Sequence, residues 1–370
     1  MLRSIFLNTL YGLSIIATIT TTATSQIVKY PYNTSRTAIP GVHLITGGSF
    51  IGKYADHKYP NPEPCKGNCS WIHDPSIVKK GGKYYRFSTS GNIAIATAPA
   101  IEGPWTYQGA LLTNGTKIVV DAVRQDIWAP NVIKIGPTYY CYYAVSFLGS
   151  QDSQIGVATS TSLDPGTWTD HGSYNLPQSA SYNLIDPSLI QASPDSPIYL
   201  TFGTTNITTN TTDDPNNNNS NTAIADSATA TLPPIINIAR NSSLNADVIE
   251  GATIYKHSPA GKYYLFFSAG NCCAVPPNLP APGREYKVLV CRSDGVEGPF
   301  VDREGRRCLG EDGGYGGTVV LGSHGDVYAP GGQGVRDEAG RTVLYYHYGE
   351  FGFFYPGMGG RGWLNQVYLR

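Results

Sequence analysis

The sequence predicts an all-β protein, a five-bladed β-propeller, on three observations. First, one unit recurs: a turn, an aromatic strand, then a strand ending in small residues. Its aromatic positions Tyr84, Tyr139, Tyr199, Tyr263 and Tyr345 fall at intervals of 55 to 82 residues. Five sheet units at a loose period fit a propeller, in which each blade buries its faces on its neighbours. A long β-sandwich would explain strands but not a recurring unit. Second, no helical period of any length is visible. Third, the chain is rich in Tyr, Gly, Thr and Ser and poor in Lys and Glu, which suits β structure.

In chain order, residues 1–25 read as a secretory signal. Arg3 gives the positive start, Ile5 to Ile19 the apolar centre, and Ala23-Thr24-Ser25 a small-residue cleavage site. The apolar part is too short and too Thr-rich for a membrane span. Residues 26–370 are then expected to form a single domain, opening with a polar lead-in to about residue 70. Trp71-Ile72-His73-Asp74-Pro75-Ser76-Ile77 begins the first blade, and a Gly-Gly turn leads to Lys83-Tyr84-Tyr85-Arg86-Phe87-Ser88. The aromatic strand returns at Thr138–Tyr143, Ile198–Phe202, Lys262–Phe267 and Thr342–Tyr346. A following strand is visible at Ile93–Thr97, Ile155–Thr159 and Tyr286–Cys291. The Asn/Thr-rich stretch at about 204–231 cannot bury a core, and is expected to be a disordered or glycosylated surface insertion. Ile235–Ala239 resumes the strand pattern.

Charged residues are 14% and the net charge is −1, so neither a nucleic-acid surface nor an acidic tail is expected. Abundant aromatics with few charges suit a polar, uncharged ligand such as a carbohydrate. Sequons at Asn33, Asn68, Asn114, Asn206, Asn210, Asn218 and Asn241 fit export. Seven Cys in an oxidising compartment leave at least one unpaired. Cys291 with Cys308 and Cys65 with Cys69 are plausible bridges, but spacing does not fix the pairing. The spacing also lacks the paired CxxC pattern of a zinc site.

Three acids stand out by context. Asp74 and Asp186 each precede Pro-Ser and an apolar strand, and Glu250 sits at the front of a strand in Val248-Ile249-Glu250-Gly251. Each belongs to a different blade, and equivalent starts of inner strands face one end of the axis. Carboxylates so gathered cannot all ionise cheaply, which pushes their pKa values apart. An acid and a base at neutral pH are what glycosidic hydrolysis needs.

His73-Asp74-Pro75-Ser76, Asp126-Ile127-Trp128-Ala129-Pro130, Asn183-Leu184-Ile185-Asp186-Pro187, Ile249-Glu250-Gly251 and Phe266 to Cys273 together resemble glycoside hydrolase family 43, in particular its fungal secreted endo-1,5-α-L-arabinanases. The resemblance covers roughly residues 70–370. It implies an inverting hydrolase acting on plant arabinan, with Asp74 as general base, Glu250 as general acid and Asp186 orienting Glu250. It implies a monomer with no required cofactor. Trp128 and Phe147 are candidate stacking platforms, and Gly149, Asn183, Thr204 and Cys272 are further candidate sugar contacts beside Asp74 and Asp186.

Two departures from the family stand out. Many bacterial relatives carry Gly-Pro-Gly-His, whose His holds a metal on the axis; here Gly332 stands in its place, and His347 remains a weak metal candidate. Relatives also carry Phe-Gly-Ser-Phe-Trp where this chain has Phe202-Gly203-Thr204-Thr205-Asn206. An exo-acting arabinofuranosidase or xylosidase, and a non-catalytic carbohydrate-binding propeller, are the alternative readings.

Overall fold

The structure is a computed structural model that describes residues 59–180, 182–203, 220–226, 235–241, 248–272, 279–310, 316–350 and 368–369. Blade I is β1 (His73–Lys80), β2 (Lys83–Thr89), β3 (Ala94–Ala98) and β4 (Thr106–Ala110). Blade II is β5 (Asp126–Ile135), β6 (Thr138–Ser146), β7 (Gln154–Ser160) and β8 (Thr169–Ser173). Blade III is β9 (Ile185–Gln191), β10 (Ile198–Gly203), β11 (Ser220–Asp226) and β12 (Ile236–Asn241). Blade IV is β13 (Val248–His257), β14 (Lys262–Gly270), β15 (Lys287–Ser293) and β16 (Thr318–Leu321). Blade V is β17 (Val327–Glu338), β18 (Arg341–Glu350) and β19 (Tyr368–Leu369). Every sheet is an antiparallel meander in chain order.

The five recurring tyrosines fall on β2, β6, β10, β14 and β18, the second strand of each blade. The β1–β2 hairpin closes through Gly81 and Gly82 at φ 56° and 81°, which a two-residue turn with both residues left-handed requires. One expectation is corrected. Ser220–Asp226, inside the stretch expected to lack structure, is a strand pairing β10 on one side and β12 on the other. Backbone hydrogen bonding between two strands carries it despite weak side-chain preference. Residues 1–25, Thr204, Cys273 and the sequon residues Asn33, Asn206, Asn210 and Asn218 lie outside the described residues.

The innermost strands neighbour one another in a closed circuit, β1 to β5 to β9 to β13 to β17 and back to β1. Apolar clusters fill the junctions between them. Phe87 and Ile95 meet Ile127 and Tyr143 between blades I and II. Tyr142 and Ile155 meet Leu189 and Phe202 between II and III. Ile190 and Ile238 meet Ile249 and Phe267 between III and IV. Val288 and Leu321 meet Val327 and Tyr346 between IV and V. Val343 and Tyr345 meet Ile77 and Tyr84 where V returns to I. Each such side chain, fully buried, contributes about 1.5–3 kcal/mol. Glu338 adds polar closure at that last junction, accepting from Tyr84 at 2.6 Å and from Lys79 at 2.8 Å.

Each inner strand begins with the same bulge. His73 pairs with Thr89 and Ser76 with Phe87, so two residues oppose one. The same shift separates Trp128 from Asn131, Ile185 from Ser188, Glu250 from Thr253 and Tyr328 from Gly331. The second residue of each bulge is left-handed: Asp74 at φ 45°, Ala129 at 46°, Asp186 at 54°, Gly251 at 62° and Ala329 at 49°. A proline follows in four of the five, at Pro75, Pro130, Pro187 and Pro330. It costs no ladder bond there, because the extra residue of a bulge is unpaired.

Candidate active site

Three of the five bulges carry an acid. Asp74 and Asp186 occupy the left-handed position of blades I and III, and Glu250 stands one residue earlier in blade IV, with Gly251 taking the left-handed position. A bulge re-aims the side chains it carries. Blades I, III and IV thereby bring Asp74, Asp186 and Glu250 into one electrostatic group.

Asp74 is held by three neighbours. Thr89 donates from Oγ1 to Asp74 Oδ2 at 2.9 Å, and Thr89 Oγ1 itself accepts the Ala129 N–H from blade II at 2.7 Å. His73 Nδ1 lies 2.7 Å from Asp74 Oδ2. The backbone N–H of Asp74 donates to His347 Nδ1 at 3.1 Å. His347 therefore carries its proton on Nε2. Burial opposes the Asp74 charge, but the charge and hydrogen bond of His73, helped by His347 and Thr89, hold its carboxyl down at about 2. For His73, burial favours the neutral ring, yet the Asp74 carboxylate, its hydrogen bond and the Glu250 charge together raise the pKa. Burial and the neighbouring His73 charge push His347 down to about 3.

Asp186 behaves oppositely. Burial, then the charges of Glu250 and Asp74, hold its carboxyl well above the usual range, partly offset by the Gly251 N–H. That N–H donates to Asp186 Oδ2 at 3.0 Å, so Asp186 grips the main chain beside Glu250. Glu250 is buried and its Oε1 accepts from the Tyr286 hydroxyl at 2.9 Å. Burial and the charges of Glu250 and Asp186 raise Tyr286 well above a normal phenol, so it remains a donor. Ser268 accepts the Gly332 N–H at 3.0 Å and donates to Gln333 Oε1 at 2.8 Å. Gln333 in turn donates to the Gly251 carbonyl at 2.6 Å, which ties the Glu250 bulge to blade V.

The remaining expected residues are placed as follows. Trp128 holds in blade II the bulge position that His73 holds in blade I, and is half-buried. Phe147 follows β6, and the Arg124 guanidinium lies 4.1 Å from its ring centroid, covering one face. Gly149 is exposed, and glycine supplies its left-handed φ of 90° rather than a close approach to another chain segment. Asn183 is buried, donates to the Ser150 carbonyl at 3.2 Å, and leaves its Oδ1 without a partner. Cys272 is disulfide-bonded and packs against the cluster that contains Tyr286 and Tyr328. Cys65 bridges Cys69, Cys291 bridges Cys308, and Cys141 is buried and free.

Sequence reasoning assigned no role to His73, Thr89, Tyr286, Ser268 or Gln333. Their signal is positional. Thr89 and Ser268 are the residues paired with His73 and Glu250 at the bulges, so the recurring bulge would have found them.

His73, Asp74 and His347 offer ligand atoms within 4.8 Å of one another. The His347 Nδ1 lone pair is taken by the Asp74 N–H, however, which leaves the proton on Nε2 and no ring lone pair for a cation, and the two rings stack at 3.8 Å and 21°. A ligating lone pair lies in its ring plane, so stacked rings send theirs alongside one another instead of to one point. The residues do not fit a cation, and none enters the chemistry below.

A closed circuit of five meanders, with acids from three bulges in one electrostatic group, is the architecture of a five-bladed propeller hydrolase. The chain matches the Glycosyl hydrolases family 43 model over residues 73–367 and belongs to that family. It is 44% identical over 298 residues to "Probable arabinan endo-1,5-alpha-L-arabinosidase A" of Aspergillus clavatus, covering 79% of this chain and 86% of that one. It is 43% identical over 297 residues to "Arabinan endo-1,5-alpha-L-arabinosidase A" of Aspergillus aculeatus, with the same coverage. In fold it is similar to an exo-1,5-alpha-L-arabinanase from a bovine ruminal metagenomic library, at a TM-score of 0.63 and 23% identity, covering 81% of this chain and 92% of that one.

Proposed function

We propose that this glycoside hydrolase cleaves internal α-1,5-L-arabinofuranosidic bonds of plant arabinan with inversion. The observation that carries the reading is the convergence of Asp74, Asp186 and Glu250 from three equivalent bulges, in a chain whose curated relatives are named for that activity.

Asp74 is the general base. Both side-chain donors meet its Oδ2, so Oδ1 is the oxygen assigned to the attacking water. A carboxylate held at about 2 stays ionised across the working range. Glu250 is the general acid and delivers its proton to the leaving oxygen. Asp186 keeps a proton within the Glu250 pair at neutral pH, because two buried carboxylates in mutual range do not both ionise. It touches the Gly251 N–H and transfers nothing itself. Inversion leaves room for one water, which asks for roughly 6.5–9.5 Å between the Asp74 and Glu250 carboxyls. Trp128, Phe147, Asn183 and Thr204 are the proposed sugar contacts. The unsatisfied buried Oδ1 of Asn183 favours it most, since a sugar hydroxyl would complete its hydrogen bonding.

Secretion and a monomeric state belong to the same reading. Residues 1–25 support export, and the Cys65–Cys69 and Cys291–Cys308 bridges suit an oxidising compartment. Among the described residues no helix is long and apolar enough to cross a membrane.

Chromatography of products from linear arabinan tests the reading. A ladder of oligomers from the wild type, absent in Glu250→Ala, supports endo hydrolysis. Arabinose alone would make the enzyme exo-acting, and no release under any condition would favour a binding propeller.

A further inference from the structure

The main chain of Asp74 and its carboxylate Oδ2 are held by different imidazoles. His347 comes from β18 of blade V, 273 residues away, and accepts the Asp74 N–H. His73 comes from the bulge itself and engages the carboxylate. The rings lie face to face with centroids 3.8 Å apart, and Tyr286 lies parallel to His347 at 6.3 Å on a 10° tilt. Gly332 makes room for this arrangement. A Cβ built there would run into the His347 ring and Asp74 Oδ1, and its φ of 56° is left-handed as well.

We propose that His73 and His347 form one positioning unit for Asp74, His347 setting the backbone of the bulge and His73 setting the carboxylate, each ring held in place by the other. The unit fixes an otherwise costly conformation. An aspartate at φ 45° stays there only where its surroundings over-determine it. The bond from Asp74 N–H to His347 does so for the main chain. The bond from His73 to Oδ2, shared with Thr89, does so for the side chain and leaves Oδ1 for the water. The charged groups facing His73 are Asp74 and Glu250, and the neutral His347 ring covers one of its faces. Neither imidazole touches the reacting atoms in this account. The proposal rests on Asp74 being the general base.

A double-mutant cycle on the full-length secreted protein tests it. His73→Ala and His347→Ala are each expected to lower kcat by roughly 10²-fold with KM within about twofold, as misplacement of a base by an ångström would. The double variant is expected to lose little beyond either single one. His73→Asn keeps an N–H donor near the Nδ1 position and His347→Asn keeps an acceptor there. Each should recover part of kcat, and in His73→Asn the acidic limb of the pH profile should still move up because the charge is gone. Where an Ala variant fails to unfold cooperatively at the wild-type temperature, the two Asn variants and their double carry the cycle. Losses that multiply would overturn the unit and make the rings independent. Stoichiometric binding of calcium or zinc ions by the wild type in calorimetry, lost in either variant, would overturn it in favour of a metal cluster. Full activity in Asp74→Asn would instead remove the base assignment, whichever way the cycle comes out.

Discussion

Asp186 accepts the backbone N–H of Gly251 at 3.0 Å, so a carboxylate in blade III grips the main chain beside the acid of blade IV. The two carboxyls are also coupled by charge, since Glu250 is, after burial, the largest influence lifting Asp186. One residue thus touches the main chain beside Glu250 and faces its charge. Asp186→Asn keeps an oxygen for the Gly251 N–H and removes the like charge. The alkaline limb of kcat should then move down by about one pH unit. A limb that stays in place would mean that the pair is not coupled in solution.

Tyr286 fixes Glu250 through one hydroxyl, at 2.9 Å from Oε1. Tyr286→Phe keeps the ring that packs with Tyr328 and removes the donor. We expect kcat to fall roughly tenfold, about 1.4 kcal/mol in the barrier, with unfolding little changed. Steady-state kinetics beside a thermal melt separates the two effects.

Gly332→Ala should be more damaging than its size implies. The new methyl meets the His347 ring and Asp74 Oδ1 in a left-handed backbone. A stability loss on the order of 1–3 kcal/mol is expected, together with a drop in kcat. A fully active, fully stable variant would mean that the imidazole has other room to occupy.

The pH dependence of unfolding follows from the same cluster. His347 is held at about 3, below its ordinary 6.5, so between those values the unfolded chain binds the extra proton. Stability therefore falls as pH drops through that window. Asp74 acts in the same sense: its contribution is present above 3.8 and is lost as pH falls towards about 2. Asp186, raised, acts oppositely, and its contribution is complete below 3.8 and lost as pH rises through its folded value. His347→Asn should flatten the decline between pH 6.5 and 3 by roughly 1–3 kcal/mol, read from denaturant midpoints. An unchanged slope would show that the ring is protonated in the native protein.

Cys291–Cys308 closes 17 residues of blade IV, and the Cys308 carbonyl accepts the Arg240 N–H of β12. Replacing both cysteines by serine should cost about 2–4 kcal/mol, with the largest rise in amide exchange at the junction of blades III and IV.

Much of this was legible in the chain. The aromatic second strands announced five sheets, since a strand packed on both faces needs bulky β-favouring residues at each turn of the repeat. The Asp-Pro-Ser echo at Asp74 and Asp186 announced two equivalent acids, and Glu250 at a strand front the third. What stayed hidden depends on contacts across the ring. Nothing local in Tyr345-Tyr346-His347-Tyr348 says that its imidazole meets the main chain of Asp74 from the other end of the chain. Tyr286 reads as an ordinary strand tyrosine until its hydroxyl is seen on Glu250. Ser220–Asp226 is a strand because two neighbours supply its hydrogen bonds, and its own composition gives no such signal.

The fivefold bulge reaches further than the chemistry it now serves. Ala129 and Ala329 occupy the same left-handed seat as Asp74 and Asp186 but present only a methyl group. They are two buried seats on a ring that carries carboxylates at the equivalent places in other blades. An engineer wishing to install a new functional group on the ring could begin there, with the side chains packed around each methyl group as the part to rebuild.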